Sequence, residues 1–114
     1  MKDDSVYLRH ILACCRRIEE DTAAGIETFR SSRTIQDAVL RNLQVLAESG
    51  QRLSDNLKSL WPQVEWKRIA AFRNVLVHDY LGLDLERIWQ ITQSDVPELK
   101  RTVQSMVKPK DDEN

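Results

Sequence analysis

Apolar residues recur along this chain at steps of three and four, and rarely at steps of two. Leu8, Ile11, Cys15 and Ile18, widened by Tyr7 and Leu12, form the first such stripe. That spacing marks the buried face of an amphipathic helix in a bundle. It predicts a first helix from Val6 to Thr28, capped by Ser5, with Arg9, Arg16, Arg17, Glu19 and Glu20 on a solvated outer face. Residues 29–33 read as a short polar connection. The second stripe runs Ile35, Val39, Leu43, Leu46, Leu53, Leu57 and Leu60, with Thr34 or Ser32 as cap and Asp37 in an acidic capping position. The step from Leu46 to Leu53 keeps a seven-residue phase across Gly50. That predicts one long helix bent at the glycine rather than two helices. Trp61-Pro62 ends it, because a residue before proline avoids the helical region.

A third helix opens near Glu65 or Trp66, with Trp66, Ile69, Ala70, Leu76 and Val77 inward. Ala70-Ala71 is small enough to let another helix approach closely. Residues 80–83 form a turn. Asp84 caps a fourth helix that buries Leu85, Ile88, Trp89 and Thr92. Asp95-Val96-Pro97-Glu98 then has the form of a fresh start, with a cap, a proline in the first turn and an acid three residues after the cap. Leu99, Val103 and Met106 continue that last stripe. From 108 to 114 no apolar residue but Pro109 remains, which predicts a disordered polar tail. The expected fold is all-α: an up-and-down bundle of four main helices plus a short extra helix, in one domain over 1–107. The stripes are wide and the chain holds three tryptophans, so a homodimer is expected to cover part of them.

Composition agrees with helices and narrows the chemistry. Only three glycines and three prolines interrupt 114 residues. The net charge of −1 gives no bulk basic character. Most of the basic residues are arginine, whose planar fork suits phosphate. Cys14 and Cys15 are adjacent and cannot readily bridge each other. No Cys-x-x-Cys pair exists and there are only two histidines, so no metal site and no cofactor are expected. Met1-Lys2-Asp3-Asp4 does not open a signal peptide, and no apolar run approaches the ~20 residues of a membrane span. A reduced, cytoplasmic protein without a membrane segment is expected.

One stretch carries unusual chemistry. Arg73-Asn74-Val75-Leu76-Val77-His78-Asp79-Tyr80 places a guanidinium, an amide, an imidazole, a carboxylate and a phenol at a helix end. Asn74 and His78 are four apart and share a face. Arg73 and His78 are five apart and do not. An imidazole that exchanges protons near neutral pH and a fixed cation are what cleavage of a phosphodiester by its own 2'-hydroxyl requires. Asn74 could orient the histidine or the phosphate. The same residues also admit a structural account. His78 can cap the helix end, where the dipole favours a cation. Arg73 can pair with Asp79, and Tyr80 can be core. Arg-x4-His alone does not decide between them.

The surrounding residues do point to a family. Trp66-Lys67-Arg68-Ile69-Ala70-Ala71-Phe72-Arg73-Asn74-Val75-Leu76-Val77-His78-Asp79-Tyr80 resembles the signature of HepT-like proteins of the HEPN superfamily. Asp84-Leu85-Glu86-Arg87-Ile88-Trp89 and Val96-Pro97-Glu98-Leu99-Lys100 are similar to that family's usual ending. Asp37-Ala38-Val39-Leu40-Arg41-Asn42-Leu43 is similar to its second helix. The resemblance implies a dimer whose Arg-x4-His motifs face a shared cleft. It implies a metal-independent RNA endonuclease acting as the toxin of a toxin–antitoxin pair, on tRNA or mRNA. Arg73 and His78 match the family's catalytic pair, Asn74 its supporting polar position, and Tyr80 the tyrosine to which a partner minimal nucleotidyltransferase attaches AMP. That modification silences the toxin. The alternative is a non-catalytic helical adaptor that binds and positions a nucleotidyltransferase, and a weaker one is a stress protein in which Arg73 holds a nucleotide phosphate. The complete Arg73, His78 and Tyr80 set favours the nuclease, since an adaptor needs none of it. Ala47-Glu48-Ser49 departs from the family's Gly-Glu-Ala run, so Glu48 is given no role. Arg41 is assigned to a solvated position.

Overall fold

The computed structural model describes residues 3–78 and 84–112, with side chains at 3–73 and 84–107. Every regular element among the described residues is helical. Helix α1 spans Asp4–Thr22. Its cap is Asp3 rather than Ser5: the Asp3 carboxylate accepts the Ser5 backbone N–H at 3.0 Å. The helix stops at Thr22, short of the expected Thr28. Thr22 donates its hydroxyl back to the Ile18 carbonyl at 2.8 Å. Gly25 then takes φ +100°, a backbone region that an L side chain rarely adopts. A separate helix α2, Ile26–Ser31, follows. Phe29, expected in a polar connection, is core at 1% exposure and packs against Trp89 with ring centroids 5.5 Å apart and planes tilted by 42°.

The single long helix expected next is two. Helix α3 spans Arg33–Gln51 and α4 spans Asp55–Leu60. Ser32 caps α3 by accepting the Ile35 N–H. Ser54 caps α4 by accepting the Leu57 N–H. The Asp4 carboxylate takes both the Ser54 N–H, at 2.8 Å, and its hydroxyl, at 2.6 Å. An N–H held by a side chain is lost to the helix ladder, so the cap ends propagation here. The seven-residue phase survives the break because Leu53 still reaches the core. Gly50 is a packing notch and not a bend. A Cβ there would sit 3.3 Å from Ile69 Cγ2 on the neighbouring helix.

Helix α5 spans Trp66–His78, and the turn before it is closed by Trp66 Nε1 donating to the Trp61 carbonyl at 3.2 Å. Helix α6, Leu85–Gln90, is capped by Asp84 as expected. It runs through a π-helical segment, Ile91–Asp95, into α7, Val96–Asp112. Asp95 is therefore not a helix cap: the Val96 N–H already bonds to the Ile91 carbonyl, so no free helix start exists there. Helix α7 also continues through Asp112, into residues expected to be a disordered tail. Extending an existing helix adds one hydrogen bond per residue fixed, so it can outrun its apolar stripe.

The core lies where α1 packs on α3 and α7, and where α3 packs on α5. Ile11, Cys15 and Ile18 of α1 meet Val39, Leu43 and Leu46 of α3 and Val96 and Val103 of α7 in one buried cluster. Among the described residues, ion pairs that join elements distant in sequence include Lys100 with Glu19 at 2.6 Å and Arg30 with Glu86 at 2.6 Å. No helix among the described residues is long and apolar enough to cross a membrane.

Candidate active site

Helix α5 turns two faces outward. Ile69 and Phe72 anchor it on the core, at 7% and 4% exposure. Arg68, Ala71 and Arg73 remain exposed. By helical register, positions 67, 71, 74 and 78 share the side away from Ile69. Position 73 lies beside the core stripe instead.

The two arginines of α5 have different fates. Arg68 is fixed by a two-pronged bond to Asp95 of the π-helical segment: Nε donates to Oδ1 and Nη2 to Oδ2, both at 3.0 Å. That hydrogen bond, with the carboxylate's charge, holds the guanidinium above its ordinary range. Arg73 is exposed, and among the described residues its side chain has no hydrogen-bond or ion-pair partner. A guanidinium that no described residue engages, close to a helix end, suits an anion from outside.

The structure places the other expected site residues only in part. Asn74 and His78 have helical backbone, and His78 is the last residue of α5. Their side chains lie outside the described set, and Tyr80 lies outside the described residues altogether. The helix is continuous from Arg73 to His78. The two positions are therefore about 7.5 Å apart along the axis and about 140° apart around it. Arg41 is exposed and Glu48 half-buried on α3, where Glu48 accepts from Gln44 at 3.4 Å.

Residues that sequence reading passed over cluster beside α5. An open groove of ≈ 460 Å³ runs between α5 and the α6–π segment. Its floor is Phe72 and Ile91; Arg68, Arg87, Gln90 and Ser94 rise around it. Arg68 and Asp95 are 27 residues apart, and no local spacing announces their bond. The cysteines offer no alternative chemistry. Burial pushes the Cys15 thiol up to about 12, aided by Cys14 and Glu19, and burial raises Cys14 as well. Neither is a thiolate near neutral pH.

A family model described as Ribonuclease HepT-like matches residues 11–106. The chain is 32% identical over 111 residues to a Methanocaldococcus jannaschii protein named "Gamma-glutamylcyclotransferase and putative RNase", covering 96% of this chain and 50% of that protein. It is 30% identical over 104 residues to a "Putative RNase" of the same organism, covering 90% and 95% of the two chains. It is 31% identical over 103 residues to the "Probable ribonuclease HepT" of Thermococcus cleftensis, covering 90% and 94%. The chain thus spans half of the first relative and nearly all of the other two. No solved structure matches.

Proposed function

The chain belongs to the Ribonuclease HepT-like family of the HEPN superfamily, and from that premise we propose that it is a metal-independent RNA endonuclease acting as a toxin. The observation that carries the reading is Arg73. It is exposed and without a partner among the described residues, five positions before a helix end that falls on His78. The neighbouring Arg68 is consumed by an ion pair. In the reaction, the ribose 2'-oxygen forms a bond to phosphorus and the bond to the 5'-oxygen breaks. The His78 imidazole takes the 2'-hydroxyl proton, and a proton is returned to the leaving 5'-oxygen. Arg73 holds the non-bridging oxygens as negative charge gathers on them. The products are a 2',3'-cyclic phosphate and a free 5'-hydroxyl. Asn74 orients the histidine or the phosphate. The working species is a cytoplasmic homodimer that brings two motifs to one cleft.

Regulation follows from Tyr80. A partner nucleotidyltransferase acting as antitoxin transfers AMP to its hydroxyl. An anionic, bulky group two residues from His78 fills the cleft and repels an RNA phosphate. The test is cleavage of total RNA by the wild type, His78→Ala and Tyr80→Phe in EDTA, with intact-mass measurement of each. Cutting by the wild type and Tyr80→Phe, lost in His78→Ala, supports the nuclease. Silencing of the wild type but not of Tyr80→Phe by the partner supports the modification. A wild type with no added AMP that leaves RNA intact shifts the assignment to the adaptor that positions a nucleotidyltransferase.

A further inference from the structure

The groove between α5 and the α6–π segment has the chemistry of a nucleotide seat. Phe72 and Ile91, at 4% and 6% exposure, give it an apolar floor. Gln90 and Ser94 supply an amide and a hydroxyl at the rim, and both are exposed. Ala71 forms a wall with no side chain beyond Cβ. At ≈ 460 Å³ the groove lies within the usual range of small-ligand sites, about 300–1,000 Å³.

The arginines at its rim offer contacts to an anion. Of the carboxylates close by, Asp84, Glu86 and Asp95 are occupied, while Glu65 and Glu98 act on Arg68 through charge. Asp84 accepts the Arg87 backbone N–H at 3.1 Å. Glu86 pairs with Arg30. Asp95 pairs with Arg68. Arg87 is exposed, and among the described residues its guanidinium has no partner. Arg68 donates to Asp95 through Nε and Nη2, which leaves Nη1 for another acceptor.

Position also matters. Ala71 shares its face of α5 with positions 74 and 78 by register. The groove wall is therefore about 10 Å along the axis from His78. A strand cut at the helix end could lay a neighbouring nucleotide into the groove without leaving that face.

We propose that this groove binds one nucleotide of single-stranded RNA flanking the scissile bond, with Arg87 holding its phosphate and Phe72 and Ile91 supporting its base or ribose. The proposal deepens the ribonuclease reading and rests on it for the identity of the strand. Apolar contact and phosphate pairing together give such a seat its affinity, and the phosphate contact gives a salt dependence.

The experiment measures binding, so that it does not depend on cleavage. A fluorescein-labelled, unstructured single-stranded RNA is titrated by anisotropy against the full-length His78→Ala protein at several salt concentrations. Adding Arg87→Gln should weaken binding about tenfold and reduce the log Kd against log salt slope by about 0.7. Arg87→Lys should keep the slope and lose only part of the affinity. Ala71→Phe, which fills the groove without changing charge, should weaken binding and leave the slope alone. Arg101→Gln, an exposed arginine outside the groove, should change neither. Unchanged affinity in Arg87→Gln overturns the seat, as does a parent protein that binds no RNA. Arg87-dependent binding by a wild type that never cleaves RNA overturns the nuclease reading and leaves the seat standing. Cleavage with binding indifferent to Arg87 does the reverse.

Discussion

Arg68 and Arg73 stand on the same helix, both exposed, yet among the described residues only Arg68 is engaged. That contrast yields a prediction at the level of single side chains. Arg73→Ala should lower the cleavage rate by about 10² or more, the usual loss when a donor to a charged transition state is removed. Its thermal midpoint should stay within about 2 °C, because no partner among the described residues is abandoned. Arg68→Ala should show the opposite balance. An exposed ion pair contributes about 0–1 kcal/mol to stability, so a small loss of midpoint and a modest loss of rate are expected. Melting curves and initial rates on one RNA substrate check both. Equal rate losses in the two variants would remove the special role of Arg73. The motif stands out in the sequence as a set of functional groups at a helix end. Its spacing alone also admits a structural role, and the family resemblance is what favours the catalytic assignment. Asp95 was not legible as a partner of Arg68. Its flanks, Val96-Pro97-Glu98, spell a helix start, and only the π-helical turn shows that the start is already occupied.

At the scale of elements, periodicity identified the stripes and missed their ends. The heptad phase across Gly50 is real, since Leu46 and Leu53 are both core. It could not reveal that Asp4, fifty positions away, would take the Ser54 backbone N–H and end the helix. Nor could it distinguish a glycine that bends a helix from one that admits a neighbour. Gly50 is the second kind, and this makes α5 sensitive to it. The Ile69 methyl already stands 3.3 Å from where a Cβ would be. Gly50→Ala gains up to about 1 kcal/mol of helix propensity against a contact tight by a few tenths of an ångström, and should be near neutral. Gly50→Leu has no such room and should cost about 1–3 kcal/mol, as overpacked cores do. Because α5 carries the motif, cleavage should fall in Gly50→Leu by more than the unfolded fraction explains. Urea unfolding with activity measured well below the midpoint separates the two effects. Full activity in a destabilised Gly50→Leu protein would show that α5 keeps its place without the notch.

At the scale of the whole molecule, the question is how a guanidinium and an imidazole on one helix meet at one phosphate. The sequence pattern carries the helix through Val77 to a turn at 80–83, and the helix is continuous through His78. Five residues of unbroken helix turn the two positions about 140° apart, so they do not share a face. A two-fold dimer resolves this if Arg73 of one protomer works with His78 of the other across the shared cleft. That arrangement makes a mixing prediction. Arg73→Ala and His78→Ala should each be inactive as homodimers. Unfolded together and refolded at equal concentration, half of the dimers are mixed, and each mixed dimer carries one site with both groups intact. Activity should return to roughly a quarter of the wild-type value. If each site is built within one protomer, every site in the mixture lacks a group and no activity returns. Sedimentation at the assay concentration must show dimers in both cases, so that a silent mixture reports on site composition and not on a failure to assemble.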